Sequence, residues 1–229
     1  MLIDVIIPAY NEEDAIGNVI GEIPKGLVQE IIVVNNGSKD NTVENAKKAG
    51  ATVLNESQRG YGSACLKGLA YLAEKPKYKK PEIVVFLDGD YSDYPEQMSL
   101  LVNPIEKNDF DLVIGSRALG KRVRGSMTIP QIVGNWVATH MLKWFYGTSF
   151  TDLGPFRAIK YDSLLKLKMQ DQNFGWTVEM QLKAAKQNMN CTEVAVDYRK
   201  RIGKSKVSGT IKGAVSAGYI IIKTLLKYR

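Results

Sequence analysis

Five short apolar runs, each closed by polar or glycine-containing residues, set the rhythm of the first half of the chain. Leu2–Ile7, Glu30–Val34, Thr52–Leu54, Ile83–Leu87 and Leu112–Ile114 have the length and branched content of buried strands. Segments with helical spacing separate them, near Ala15–Glu22, Thr42–Lys48, Ser63–Glu74 and Pro95–Lys107. This alternation predicts a largely parallel central sheet covered on both faces, an α/β fold. The second half is less regular. It predicts a helix over Gln131–Phe145, a turn within Thr151–Ile159 leading into a strand, a helix over Trp176–Gln187 and a strand over Thr192–Tyr198. The tail from Ile211 to Leu226 is an apolar helix candidate carrying Lys212 and Lys223, with Lys227 just beyond. Its apolar core falls well short of the roughly 20 residues that span a bilayer. Two readings of it stand side by side: a helix lying on a membrane surface, and one packed on the domain or on a partner subunit.

In parallel α/β sheets ligands gather at the carboxyl ends of the strands. Four polar clusters follow strands here: Pro8-Ala9-Tyr10-Asn11-Glu12, Asn35-Asn36-Gly37-Ser38-Lys39-Asp40, Asp88-Gly89-Asp90-Tyr91-Ser92-Asp93 and Gly115-Ser116-Arg117. The topology predicts that they converge on one rim. Asp88 and Asp90, two apart after a strongly apolar run, are expected to share one face of a continuing strand. Two carboxylates so close repel unless a cation neutralises them, and their oxygens suit Mg²⁺ or Mn²⁺ with phosphate completing the shell. The plainer reading of the pair is a solvated turn. Arg117, Arg199, Arg201, Lys204 and Lys206 are cations that suit phosphate, against the plainer reading of a solvated basic loop. Gly60-Tyr61-Gly62 ahead of a helix is either a phosphate-approaching turn or a plain tight one. His140, among Trp136, Met141 and Trp144, reads as a packed residue rather than a catalyst.

Composition narrows the partners. The 31 Lys and Arg against 24 Asp and Glu leave a formal charge of +7, which favours an anionic partner. Short basic clusters at Lys121–Arg124 and Arg199–Lys206 suit discrete phosphate sites better than a nucleic-acid track, so no nucleic-acid partner is expected. The two cysteines, Cys65 and Cys191, and the lack of an opening secretory signal fit a reducing, cytoplasmic setting with no disulfide. No Cys/His metal spacing, Ser-His-Asp arrangement or G-x-x-x-x-G-K-[ST] loop is present.

As an ordered set, the clusters resemble family 2 glycosyltransferases of the GT-A fold, closest to the dolichol- or polyprenol-phosphate mannose or glucose synthase branch. The likeness runs through Pro8–Glu12, Asn36–Thr42, Asp88-Gly89-Asp90 with Pro95-Glu96, Gly115-Ser116-Arg117, Thr151–Ala158 and Arg201–Lys206. It implies a single GT-A domain over 1–209 and a C-terminal helix over 210–229. It also implies a nucleotide-diphospho-sugar donor and inverting hexose transfer dependent on Mg²⁺ or Mn²⁺. Carried over by position, Pro8, Tyr10 and Glu12 line the nucleoside pocket, Asn36 faces the base, and Asp88 and Asp90 hold the nucleotide and the metal; Ala9, Gly60 and Gly89 beside them are further nucleotide-binding candidates. Arg117 contacts the acceptor phosphate, and Arg201, Ser205 and Lys206 close over the donor and acceptor phosphates; Asp152 and Glu179 lie on the acceptor side, and Arg199 is a phosphate-binding candidate by residue type alone. Three departures stand out: Asn35-Asn36 where the family has paired aspartates, Ser92 where the branch often has glutamine, and Gly154-Pro155-Phe156 in place of a small-Gly-Phe pattern. The transmembrane helices that many relatives carry at the C-terminus have no counterpart here.

A phosphate acceptor is already a nucleophilic anion, whereas a hydroxyl needs a base. The sequence offers several cations but only Asp152, Glu179 and Asp93 as bases, so a polyprenyl or dolichyl phosphate acceptor leads. A hydroxyl acceptor, a nucleotidyltransferase and a non-catalytic nucleotide-sugar-binding protein are the alternatives. Peripheral membrane contact and an oligomer are left open.

Overall fold

The computed structural model describes residues 1–203 together with 223 and 224. The expected helix over 211–226 lies outside the described residues apart from Lys223 and Thr224, as do Lys204, Ser205 and Lys206.

Seven strands form one sheet: β1 (Ile3–Ala9), β2 (Glu30–Asn35), β3 (Thr52–Asn55), β4 (Ile83–Phe86), β5 (Leu112–Ser116), β6 (Arg157–Lys160) and β7 (Cys191–Ala195), in the order β3-β2-β1-β4-β6-β5-β7. Neighbours run parallel except at β6, which is antiparallel to both β4 and β5. The expectation of a mostly parallel sheet therefore holds with one inserted exception. The helices that lie wholly within the described residues are α1 (Ile16–Glu22), α2 (Thr42–Lys48), α3 (Tyr61–Glu74), α4 (Met98–Asn108), α5 (Ile129–Tyr146), α6 (Tyr161–Leu167) and α7 (Trp176–Lys186).

Strand alternation sorts the core into two layers. Val5, Ile7, Val33 and Val85 pack with α1, α2 and α4 on one face; Ile6, Val34, Val84 and Phe86 pack with α3, α6 and α7 on the other. Trp176 meets Phe86 edge to face, with ring centroids 5.8 Å apart. α5 sits to one side, its Ala138 and Leu142 packed on Leu153, Val178 and Leu182.

The local differences from expectation have local causes. α5 starts at Ile129 rather than Gln131, because Thr128 and Gln131 form a reciprocal cap and Pro130 suits the first turn. Pro95–Gln97 is a separate 3₁₀ turn ahead of α4. The last strand ends at Ala195, three residues early, and Tyr198 keeps only isolated bridges to Asp93 and Arg122. α6 has no counterpart in the pattern reading.

At the end of the sheet remote from the polar clusters, Lys75 pairs with Asp4 at 2.6 Å and with Glu30 at 2.5 Å. Asp4 is fully buried, and burial, only partly offset by Lys75, raises its carboxyl above the ordinary range. Removing the ammonium strands a buried charge, so Lys75→Met is expected to cost about 3 kcal/mol at neutral pH. Because an acid with a raised folded pKa penalises the fold only once it ionises, that cost shrinks on acidification. Urea titrations at pH 7 and pH 4.5 check it; equal loss at both would contradict the assignment.

Candidate active site

The carboxyl ends of β1, β2, β4 and β5 open onto one cleft of about 550 Å³. Its inner wall consists of Pro8, Ala9, Tyr10 and Glu12 after β1, Asn36 after β2, Asp88, Gly89 and Asp90 after β4, and Arg117 after β5. Gly60 and Arg201 also line it. The outer wall is built by Met127, Pro130, Gln131, Gly134 and Asn135 around the start of α5, with Leu153, whose amide donates to Asn135, and with Pro155 and Phe174.

The acidic pair does not sit as strand periodicity suggested. β4 ends at Phe86, and Asp88 and Asp90 lie on a turn, followed by Tyr91 at φ 65°. The turn nonetheless keeps the two charges together. Burial first, and then the charge of Asp90, lift the Asp88 carboxyl to about 6. Its Oδ1 is buried with no hydrogen-bond partner among the described residues. Asp90 is better satisfied: Oδ1 accepts from the Ser92 amide at 3.0 Å and its hydroxyl at 2.5 Å, and Oδ2 faces Arg201 Nη1 at 2.9 Å. Ser92 therefore orients Asp90. Asp93, 1% exposed, has neither carboxyl oxygen paired among the described residues. Burial and the charge of Asp88 push it well above the ordinary range.

This surplus of acid tests the site for a cation. Among the described residues the buried Oδ1 of Asp88 lacks a partner, which a divalent ion would supply, and the Arg201 guanidinium against Asp90 occupies the position of a positive charge. Among the described residues no group of three or more His, Cys, Asp or Glu could hold a metal. Two carboxylates completed by phosphate oxygens and water suit Mg²⁺ or Mn²⁺ better than a closed protein cage.

The sequence profile of "Glycosyl transferase family 2" matches residues 4–174. The chain belongs to this family. An uncharacterized glycosyltransferase of Mycobacterium tuberculosis is 33% identical over 94% of each chain. A dolichyl-phosphate hexose transferase of Haloferax volcanii is 28% identical over 98% of this chain and 94% of its own. Among solved structures, glucosyl-3-phosphoglycerate synthase of Mycobacterium tuberculosis, in complex with Mn²⁺, uridine diphosphate and phosphoglyceric acid, superposes with a TM-score of 0.75. At 24% identity, over 99% of this chain and 78% of that one, the likeness establishes the GT-A fold.

Within this glycosyltransferase the other expected site residues fall into two groups. Arg117 reaches the cleft, but Asp152 holds it: Nε and Nη2 lie 2.8 and 2.7 Å from the two carboxylate oxygens, and the Arg117 amide donates to Oδ2 at 2.7 Å. Burial opposes both charges, yet each keeps the other ionised, with Asp152 below the ordinary carboxylate range. Asp152 thus orients Arg117 and does not line the cleft itself. Glu179 is not at the cleft either. It is fully buried, accepts from the Gln170 and Asp171 amides and pairs with Lys183 at 2.6 Å. Arg199 is also placed elsewhere. Its guanidinium lies 3.4 Å from the Tyr91 ring centroid, pairs with Glu22 at 2.6 Å and donates to the Tyr91 and Asp93 carbonyls.

Asn36 explains one departure from the family pattern. Its amide nitrogen donates to the Gln58 carbonyl at 2.7 Å and the Glu56 carbonyl at 3.2 Å, while its oxygen accepts from the Gly60 amide at 2.8 Å. A carboxylate there would face two carbonyl oxygens. Asn36 therefore fixes the 56–60 loop at its end of the cleft. Arg59, which pattern reading passed over, stacks on Tyr10 at 3.4 Å and donates to the Asn36 carbonyl. Gly60 and Gly62 serve a protein contact: a Cβ on either would overlap the carbonyls of Gln172 or Asp171. The Gly62 and Ser63 amides donate to Asn173 and Gln172, so this helix start is filled by chain. Gly154 admits the Gly115 carbonyl in the same way, which accounts for the glycine before Pro155.

An Asp88 carboxyl raised to about 6 makes the metal-free fold less stable as pH climbs from the ordinary value of 3.8 through 6. Asp88→Asn removes that cost. The stability of the variant relative to wild type, followed by thermal melting in EDTA, is expected to rise between pH 4 and pH 7 and then level off. A pH-independent difference would contradict the assigned environment.

Proposed function

We propose that this glycosyltransferase moves a hexose, with inversion, from a nucleoside diphospho-sugar to a polyprenyl or dolichyl phosphate. The observation that carries this reading is where the acids lie. Among the described residues, the carboxylates lining the cleft are Glu12, Asp88 and Asp90, all on the inner wall, and the outer wall built by α5, Leu153, Pro155 and Phe174 has none. Asp152 is bound to Arg117, and Glu179 lies off the cleft. A hydroxyl entering along that wall meets no carboxylate base, whereas a phosphate needs only cations and room for its apolar tail. The dolichyl-phosphate hexose transferase relative supports the same acceptor class.

Each part of the site then has a task. Pro8, Ala9, Tyr10 and Glu12, with Asn36 behind them, frame the nucleoside. Mg²⁺ or Mn²⁺ at Asp88 and Asp90 would neutralise the pyrophosphate and the charge that grows on it as it leaves. Ser92 fixes the Asp90 rotamer, and Arg201 is the cation placed to turn from Asp90 to the donor's phosphates. Arg117, aimed by Asp152, binds the acceptor phosphate through a planar fork. An acceptor oxygen bonds to the anomeric carbon as the bond to the diphosphate breaks, and no proton has to move.

The test is a donor screen with UDP- and GDP-sugars in Mn²⁺ against polyprenyl phosphate, 3-phosphoglycerate and free glycans, with products read by mass. Polyprenyl phosphate is expected to be glycosylated; product on a hydroxyl acceptor alone would overturn the reading. Asp90→Ala is expected to lower kcat by at least about 10²-fold with the circular dichroism spectrum unchanged. Arg117→Lys keeps the charge and loses the fork, so it should raise the acceptor KM more than the donor KM. Equal rises would count against a phosphate at Arg117.

A further inference from the structure

α5 presents an unusual outer face. Ile129, Ile132, Val133, Trp136, His140, Lys143 and Trp144 fall within a third of the helix circumference and are all exposed. Ile129 is 78%, Trp136 59% and Trp144 82% accessible, and Leu119 and Val123 are exposed in the preceding loop. Helical spacing normally turns such residues inward. Here the inward side is Ala138, Thr139 and Leu142. An exposed apolar stripe of this size marks a contact surface rather than a solvated helix.

Charge identifies the contact. From Leu112 to Thr151 the chain has no Asp or Glu, while it has Arg117, Lys121, Arg122, Arg124 and Lys143. Apart from Arg117, held by Asp152, these cations are exposed, and none forms an ion pair among the described residues. Two copies of this chain meeting here would set like charges against each other, which disfavours self-association. Two exposed indoles beside unpaired cations instead match the boundary between the headgroups and acyl chains of a bilayer.

We propose that the α5 stripe and the 119–124 loop dock this protein on an anionic lipid bilayer. Pro130, Gln131, Gly134 and Asn135 of the same helix line the cleft. Docking therefore sets the cleft mouth against the lipid surface. The inference stands on the face alone and goes beyond the acceptor assignment, so its test uses vesicles that contain no polyprenyl phosphate. No helix among the described residues is long and apolar enough to cross a membrane.

The tryptophans supply the readout. The chain has three: Trp136 and Trp144 on this face, and Trp176, 1% exposed, in the core. The full chain is expected to sediment with phosphatidylglycerol-containing vesicles, not with pure phosphatidylcholine, and to be released by salt. Brominated lipid should quench its fluorescence, and Trp136→Phe/Trp144→Phe, which keeps Trp176, should bind without quenching. Ile129→Ser/Val133→Ser/Trp144→Ser, whose side chains leave the core untouched, should weaken partitioning about tenfold or more. Failure of wild type to sediment overturns the proposal. So does binding without quenching, which would put the contact elsewhere, or a serine variant that binds vesicles normally and loses only a dimer.

Discussion

Two carboxylates of like charge, held together at the end of a buried strand, are the constraint around which the cleft is arranged. Asp88 is lifted to about 6 by burial and by Asp90, and one of its oxygens has no hydrogen-bond donor among the described residues. Such an arrangement costs stability unless a cation joins it. The surroundings respond in graded fashion. Ser92 and Arg201 satisfy Asp90, Arg117 is kept cationic by Asp152, and Asp93 is pushed toward its neutral form. The protein thus supplies partial neutralisation, and a metal with a pyrophosphate would complete it. Burial strengthens every one of these terms, because the local dielectric is lower than that of water.

The scaffold is fitted to hold this strain in place. The 170–173 turn is tied to the base of α7 by Glu179 and closes over the start of α3, where Gly60 and Gly62 leave room for its carbonyls. Glu193 receives the Thr151 and Asp152 amides, and Arg157 donates to the carbonyls of Leu153, Gly154 and Thr177, so the segment carrying Asp152 is fixed from both sides. The side chains that aim the cleft residues are thus themselves held by hydrogen bonds, as precise positioning requires.

The first half of the fold was legible in the sequence because each strand there is a compact apolar run with a polar stop, and the stops carry the chemistry. Pro8–Glu12, Asn36, Asp88–Asp90 and Arg117 do meet at one rim. The antiparallel β6 was not legible as such, since direction is fixed by neighbours in space and not by the residues of Arg157–Lys160. α6 was missed because its seven residues follow β6 directly, with no break in the pattern. Arg199 looks like a site residue by type, and Glu179 by family position. Their partners, Glu22 with Tyr91 and Lys183 with the 170–171 amides, come from remote or unmarked segments. Arg59, Gly134 and Asn135 line the cleft without any chemical signature of their own. Strand periodicity gave the right neighbours for Asp88 and Asp90 for the wrong reason, because a turn after Phe86 does the positioning.

A single divalent ion at Asp88 and Asp90 would complete the cleft. Crystals grown with Mn²⁺ and a nucleoside diphosphate, measured above and below the manganese absorption edge, locate it without reference to activity. The account places the anomalous peak between the acidic turn after β4 and the two phosphates. A peak elsewhere, or a nucleotide bound with those acids still facing Arg201 and no manganese beside them, would contradict it.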